Sequence, residues 1–222
     1  MNPNFKPWAN KKLRKAVAHA IDRDKIIKTI LQGMAKKLKG AIGPGQIGYD
    51  AARSKKFDLK YDPALARKLV KEAGYPNGVD VEMSTPVGRY VNDKIISQAI
   101  VPMLAKVGIR AKLLTPEWST QWANVRKGKR SFFYQGRGSV IDPGPALAQY
   151  FKTGVSPRIK YSNPKYDALF DEVAREFNPK KRQKLINDAI AILVEDVPAV
   201  FMWRHKLAYG VAKNVSISPP AN

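Results

Sequence analysis

The sequence predicts an α/β fold: a mixed sheet containing a β-α-β unit, flanked by helices. Three observations predict it. Val79, Val81 and Met83 alternate with Asp80 and Glu82, the period-two pattern of a strand with one buried face. Asn92 then opens a run in which Ile95, Ile96, Ala99, Ile100, Met103, Leu104 and Val107 recur at helical spacing, closed by Gly108. Residues Ile109–Leu114 alternate once more. Two strands joined through a helix run parallel, with a right-handed crossover. The chain has 222 residues, 44% of them apolar, which is enough for a real core. No composition shift marks a boundary, so the expectation is one α/β domain over residues 1–222.

The other elements follow from caps and periodicity. Residues Asn10–Ile21 read as a helix, with Leu13, Val17, Ala18 and Ile21 on one face and Lys11, Lys12 and Lys15 on the other. Asp22 caps a second helix through Leu31, ended by Gly33. The segment Gly40–Asp50 holds four glycines and a proline and must be a loop. Asp62-Pro63 starts a helix with aspartate at the N-cap and proline at the first helical position, and Gly74 ends it. The same opening recurs at Asn163-Pro164 and Asn178-Pro179. Ser131–Gln135 reads as a strand, Gly136–Pro145 as a loop at a sheet edge, and Val197–Trp203 and Lys206–Val211 as two final strands.

Composition excludes several chemistries. There is no cysteine, hence no disulfide scaffold, thiolate zinc site, iron–sulfur cluster or thiol nucleophile. The two histidines, His19 and His205, and the scattered carboxylates have no metal-ligand spacing. Ser131, Ser139 and Ser156 sit in no Gly-x-Ser-x-Gly elbow. The glycine-rich pieces Gly43-Pro44-Gly45 and Gly136-Arg137-Gly138 follow neither phosphate-binding pattern. These absences point away from an enzyme and imply no cofactor and no metal. No apolar run is long enough to span a bilayer. The opening stretch, polar and holding Pro3 and Pro7, is not expected to be a signal peptide.

Net charge is +22, and residues 1–60 carry half of that excess. Such a field attracts nucleic acid, anionic lipid and small anions alike. A basic nucleic-acid-binding domain is the alternative reading. It is not favoured, because neither Lys11-Lys12-Leu13-Arg14-Lys15 nor Arg126–Arg130 belongs to a helix-turn-helix or an RNA-binding sheet signature.

Ligands of open α/β sheets bind outside the carboxyl ends of the strands. That rule selects Arg89 and Tyr90 after the first strand and Trp118 after the second, with Tyr134, Arg137 and Ser139 at the end of the 131–135 strand. These six are the candidate ligand-binding residues. Trp122, which shares a helical face with Val125, reads as core.

Six segments in order resemble a known family. They are Asn10–Arg23, Tyr61–Pro76, Leu104–Ile109, Gly136 with Asp142-Pro143, Tyr161–Asp167 and Leu193–Pro198. Together they resemble the second lobe of the family 5 solute-binding proteins of peptide- and nickel-type ABC importers. The resemblance implies a periplasmic receptor that closes two lobes over a peptide or other small solute and hands it to membrane permease subunits. It implies no nucleic acid as partner, and contact with a membrane only through the permease. Family members are normally much longer, so this chain looks like one lobe whose amino-terminal partner lobe is absent. Peptide-binding members often carry an aspartate in a glycine-tryptophan loop, facing the ligand's amino group. Here Arg137 stands where the tryptophan is usual, Gly138-Ser139-Val140-Ile141 lacks that aspartate, and Asp142 reads as a helix cap. A cationic loop suits a carboxylate or another anionic group.

Overall fold

Capping side chains start most of the helices where the sequence predicts them. In the computed structural model, which describes residues 1–138 and 140–218, α1 (Lys11–Ala20) begins with the Asn10 side chain accepting from the N–H of Lys12 at 2.9 Å. Asp22 does the same for α2 (Arg23–Thr29), through the Lys25 N–H at 2.9 Å. After a three-residue strand β1 (Ala35–Lys37) come α3 (Ala51–Lys56) and α4 (Pro63–Glu72), the latter capped by Asp62 with Pro63 as its first residue. The parallel unit follows as β2 (Val79–Ser84), α5 (Asp93–Ala105) and β3 (Ile109–Leu114). The chain continues through α6 (Trp118–Arg126), α7 (Gly144–Phe151), α8 (Pro164–Val173), α9 (Pro179–Asp196) and β4 (Trp203–His205). Asn163 and Asn178 cap α8 and α9 as expected.

The strands of the β-α-β unit are parallel, as predicted, with a register running from Val79 opposite Ile109 to Ser84 opposite Leu114. Gly78 lets the two strands start this close: a β-carbon there would stand 2.6 Å from the Gly108 carbonyl oxygen. The remaining pairing forms a separate two-stranded sheet, β1 antiparallel to β4.

Three strand expectations need correction. Residues 131–135 make only one parallel bridge, Phe133 to Ser84, held by N–H bonds from Ser84 to the Phe132 carbonyl and from Tyr134 to the Ser84 carbonyl. Beyond it the chain turns away as the Gly136 backbone packs on the Tyr90 ring. The expected Val197–Trp203 strand is displaced to Trp203–His205, because Val197 takes a left-handed conformation that ends α9 and Pro198 follows. Residues 206–211 form no strand. Lys206 still donates to the Met34 carbonyl, but past it Leu207, Tyr209 and Val211 are exposed with no neighbouring strand among the described residues.

Apolar side chains gather in two clusters. One joins α1, α2, α4 and α5 to the β2–β3 pair through Leu13, Val17, Ile26, Met83, Ile100 and Ile109. The other joins α7, α8 and α9 through Leu147, Phe151, Tyr166, Phe170, Ile186 and Ile190. Phe132 packs into the first and Phe133 against the second, so the 132–134 stretch ties them together. The basic face of α1 is neutralised rather than free. Lys11 and Lys15 bind Glu195 at 2.9 and 2.8 Å, and Lys12 binds Glu72 at 2.9 Å. Arg14 turns inward and donates to the Trp8, Ala9 and Asp196 carbonyls.

Candidate functional site

The site begins where β2 ends. The Thr85 N–H donates to the Leu114 carbonyl at 3.0 Å, and the chain then leaves the sheet as a tight loop to α5. One buried carboxylate organises that loop. Asp93, 2% exposed, accepts from the N–H groups of Gly88 at 3.1 Å, Arg89 at 2.9 Å and Tyr90 at 2.9 Å, and from Lys94 at 2.8 Å. The sequence reading gave the start of α5 to Asn92 as a cap. Instead Asn92 adopts φ 53° and makes no capping bond, and Asp93 fixes the helix start and the loop before it. Three consecutive N–H donors facing one carboxylate leave the side chains of Arg89 and Tyr90 pointed the other way, toward the strand ends.

There Tyr90 meets two of the predicted residues. Its ring lies edge-on to Trp118, centroids 5.9 Å apart, and edge-on to Tyr134 at 6.2 Å. The Arg89 guanidinium sits 5.5 Å from the Tyr90 centroid and 5.0 Å from that of Trp118, within cation–π range of both. The other side of Tyr90 is covered by the backbone of Gly136, where a β-carbon would come within 2.6 Å of the ring. Burial raises the Tyr90 hydroxyl above its ordinary value against the opposing pull of Arg89. It raises Tyr134 further, with Asp93 adding to the effect. Both hydroxyls are therefore protonated donors at neutral pH.

The cluster extends beyond the predicted set. Trp122 is half-buried and stacks on Trp118 at 5.3 Å, so it belongs to this face and not to the core assigned from sequence. Arg158 lies 5.3 Å from the Trp122 ring and 4.6 Å from that of Tyr150. Arg137 approaches the same Tyr150 ring at 5.7 Å. The Tyr150 hydroxyl accepts a hydrogen bond from Gln135 Nε2 at 2.9 Å, which fixes the ring. Burial lowers the Arg137 pKa from its ordinary value, yet a guanidinium stays charged at neutral pH. Five of the six predicted residues thus join one continuous aromatic and cationic cluster; the sixth, Ser139, lies outside the described residues. Trp122, Tyr150 and Arg158 were missed, and proximity in space is their only signal. Asp142 does act at a helix start, accepting from Gly144 at 2.9 Å, and it also pairs with Arg182. No cluster of metal-ligating side chains occurs among the described residues.

Fold and cluster together define a class: an α/β lobe with an open aromatic and arginine-rich face at the carboxyl ends of a parallel strand pair. The chain belongs to the bacterial extracellular solute-binding proteins, family 5, whose middle part matches residues 1–158. Among curated relatives, the glutathione-binding protein GsiB of Pectobacterium atrosepticum is 29% identical over 97% of this chain and 43% of its own length. The dipeptide-binding protein of Escherichia coli K12 is 28% identical over 96% and 41%. Among solved structures, HbpA2 of Haemophilus parasuis superposes with a TM-score of 0.86 at 25% identity, covering 93% of this chain and 41% of the other. AgaA of A. tumefacien R10, in complex with agropinic acid, gives 0.82 at 28% identity, covering 92% and 42%. The chain therefore spans about two fifths of the length of the relatives it matches. The two curated relatives are named as binding proteins.

Proposed function

We propose that this chain is one ligand-binding lobe of a periplasmic solute receptor of an ABC importer. It captures a small peptide-like or anionic solute and, by closure of a second lobe, presents it to the permease. The observation that carries this reading is the cluster at the strand ends, where Arg89, Tyr90, Trp118, Tyr134 and Arg137 meet on one face. Flat aromatic rings offer apolar contact at low entropic cost, and guanidiniums offer paired N–H donors to carboxylate-like groups. Among the described residues the cluster consists of aromatic rings and guanidiniums, groups suited to holding a ligand. Val91 and Ile95, 58% and 54% exposed beside the cluster, fit a face that a second lobe covers on closing. The α/β unit of residues 1–222 then acts as one of two jaws, with the solute between them.

Native mass spectrometry of the full-length parent, purified gently from periplasm, tests this. A retained small molecule of defined mass is expected. A parent that retains none, and that binds none from a panel of di- and tripeptides, glutathione and small dicarboxylates, overturns the reading. So does nucleic acid that stays bound through moderate salt.

A further inference from the structure

We propose that Arg137 and Arg158, set against the ring of Tyr150, form a second anion subsite, separate from Arg89, that takes an oxyanion group of the solute. This rests on the receptor reading and narrows it to solutes carrying negative charge. Arg158 is only 9% exposed, and a charge that deep is ordinarily paired with a carboxylate. Neither Arg158 nor Arg137 forms an ion pair among the described residues. Asp142 and Asp167, the carboxylates closest in sequence to Arg137 and Arg158 respectively, are engaged elsewhere, Asp142 by Arg182 at 2.9 Å and the Gly144 N–H, and Asp167 by the Thr153 N–H at 3.0 Å, while Asp93 is held by four backbone N–H groups. Two guanidiniums are thus brought to one aromatic ring, 4.6 and 5.7 Å from its centroid, with aromatic stacking but no neutralising charge. Like charges held together in a partly desolvated place repel, and an incoming anion relieves that repulsion while offering acceptors to both forks. The stacked Trp118 and Trp122 rings separate this pair from Arg89, which spaces the two cationic points apart along one wall.

The test uses the 222-residue chain and two probes, succinate for a carboxylate and pyrophosphate for a phosphoryl group. Each is titrated at constant ionic strength, which removes the nonspecific pull of the net charge. Binding is followed by tryptophan fluorescence, since Trp122 stacks on Arg158, and by calorimetry. Saturable binding of at least one probe is expected, weakened about tenfold or more by Arg137→Gln and by Arg158→Gln and unchanged by Arg175→Gln on the exposed surface. Which probe binds names the source of the oxyanion. Arg137 is exposed, so its variant keeps the test valid should the Arg158 variant fail to fold. Equal weakening by all three variants, or no saturable response from the unaltered chain, overturns the subsite. The receptor reading is judged separately: a parent that retains a solute with the same affinity after Arg137→Gln and Arg158→Gln disproves the subsite alone.

Discussion

Replacing Asp93 by alanine is expected to cost about 3 kcal/mol of stability and to dismantle the site without touching any residue that faces it. The magnitude comes from the four N–H groups on its carboxylate. A hydrogen bond to a charged group contributes roughly 1.5–3 kcal/mol net, so a simple sum for the three loop donors far exceeds that figure. Gly88 and Arg89 are exposed, however, and water can satisfy their freed N–H groups. Tyr90 is half-buried and Asp93 is 2% exposed, so one poorly compensated donor and the loss of an anion at the start of α5 remain. Asp93→Asn keeps one acceptor oxygen but turns an NH2 group toward the donors; about 2 kcal/mol is expected. Urea unfolding measures both, with the midpoint lowered and the slope unchanged. Near-ultraviolet circular dichroism reads the loop directly, because the Tyr90–Trp118 and Tyr90–Tyr134 edge contacts depend on it. A loss below about 1 kcal/mol with an unchanged aromatic spectrum would refute the argument and show that the loop holds itself.

Other changes have equally definite outcomes. Gly136→Ala places a β-carbon 2.6 Å from Tyr90 Cδ1, so the ring must swing off Trp118; a cost of about 1–2 kcal/mol and a flattened aromatic spectrum are expected. Arg23→Ala removes the guanidinium that ties the carbonyls of Leu38, Leu59 and Phe201 to Asp58; about 3 kcal/mol should be lost in urea unfolding, softened by Lys37, which also approaches Asp58. His205 accepts from the Trp203 Nε1–H at 3.2 Å, and burial lowers its pKa below the ordinary value. The unfolded chain therefore takes up the proton first, so this stabilisation is present above about pH 6.5 and lost as pH falls below it. Unfolding midpoints at pH 7.5 and 5.5 should differ less in His205→Gln than in the unaltered chain.

How much of this was legible in the sequence depended on how local the physics was. Four N-caps (Asp22, Asp62, Asn163 and Asn178), the β-α-β unit and the parallel sense of its strands follow from side chains acting within a few residues, and the sequence shows them plainly. Asn92 and Asp93 illustrate the limit. Both are good capping residues, and only the loop's three N–H groups, turned toward position 93, decide between them. The 206–211 segment failed for a different reason: Leu207, Tyr209 and Val211 alternate as a strand should, but alternation cannot supply a partner strand. Strand β1 was invisible because Ala35–Lys37 has no pattern of its own and exists by pairing with β4. Trp122 shares a helical face with buried Val125, which made a core assignment natural, yet Trp118 one turn earlier draws its ring toward the strand ends.

Net charge misleads in the same way, because it counts groups without their partners. The first sixty residues carry half of the +22 excess, yet the dense basic run on α1 is met by Glu195 and Glu72, and Arg14 is turned inward. Arg89, Arg137 and Arg158, far apart in sequence and inconspicuous in composition, are the cations that lie on aromatic rings with no carboxylate among the described residues. An arginine stacked this way keeps its N–H donors free at its edge while its flat face is held in place. That is preorganisation: the orienting entropy is lost on folding, before any ligand arrives. A surface lysine of equal charge offers no such saving. On the proposed reading, the charge that would meet a ligand is marked by geometry, by rings that hold it and by the lack of a counter-ion among the described residues, rather than by its abundance along the chain.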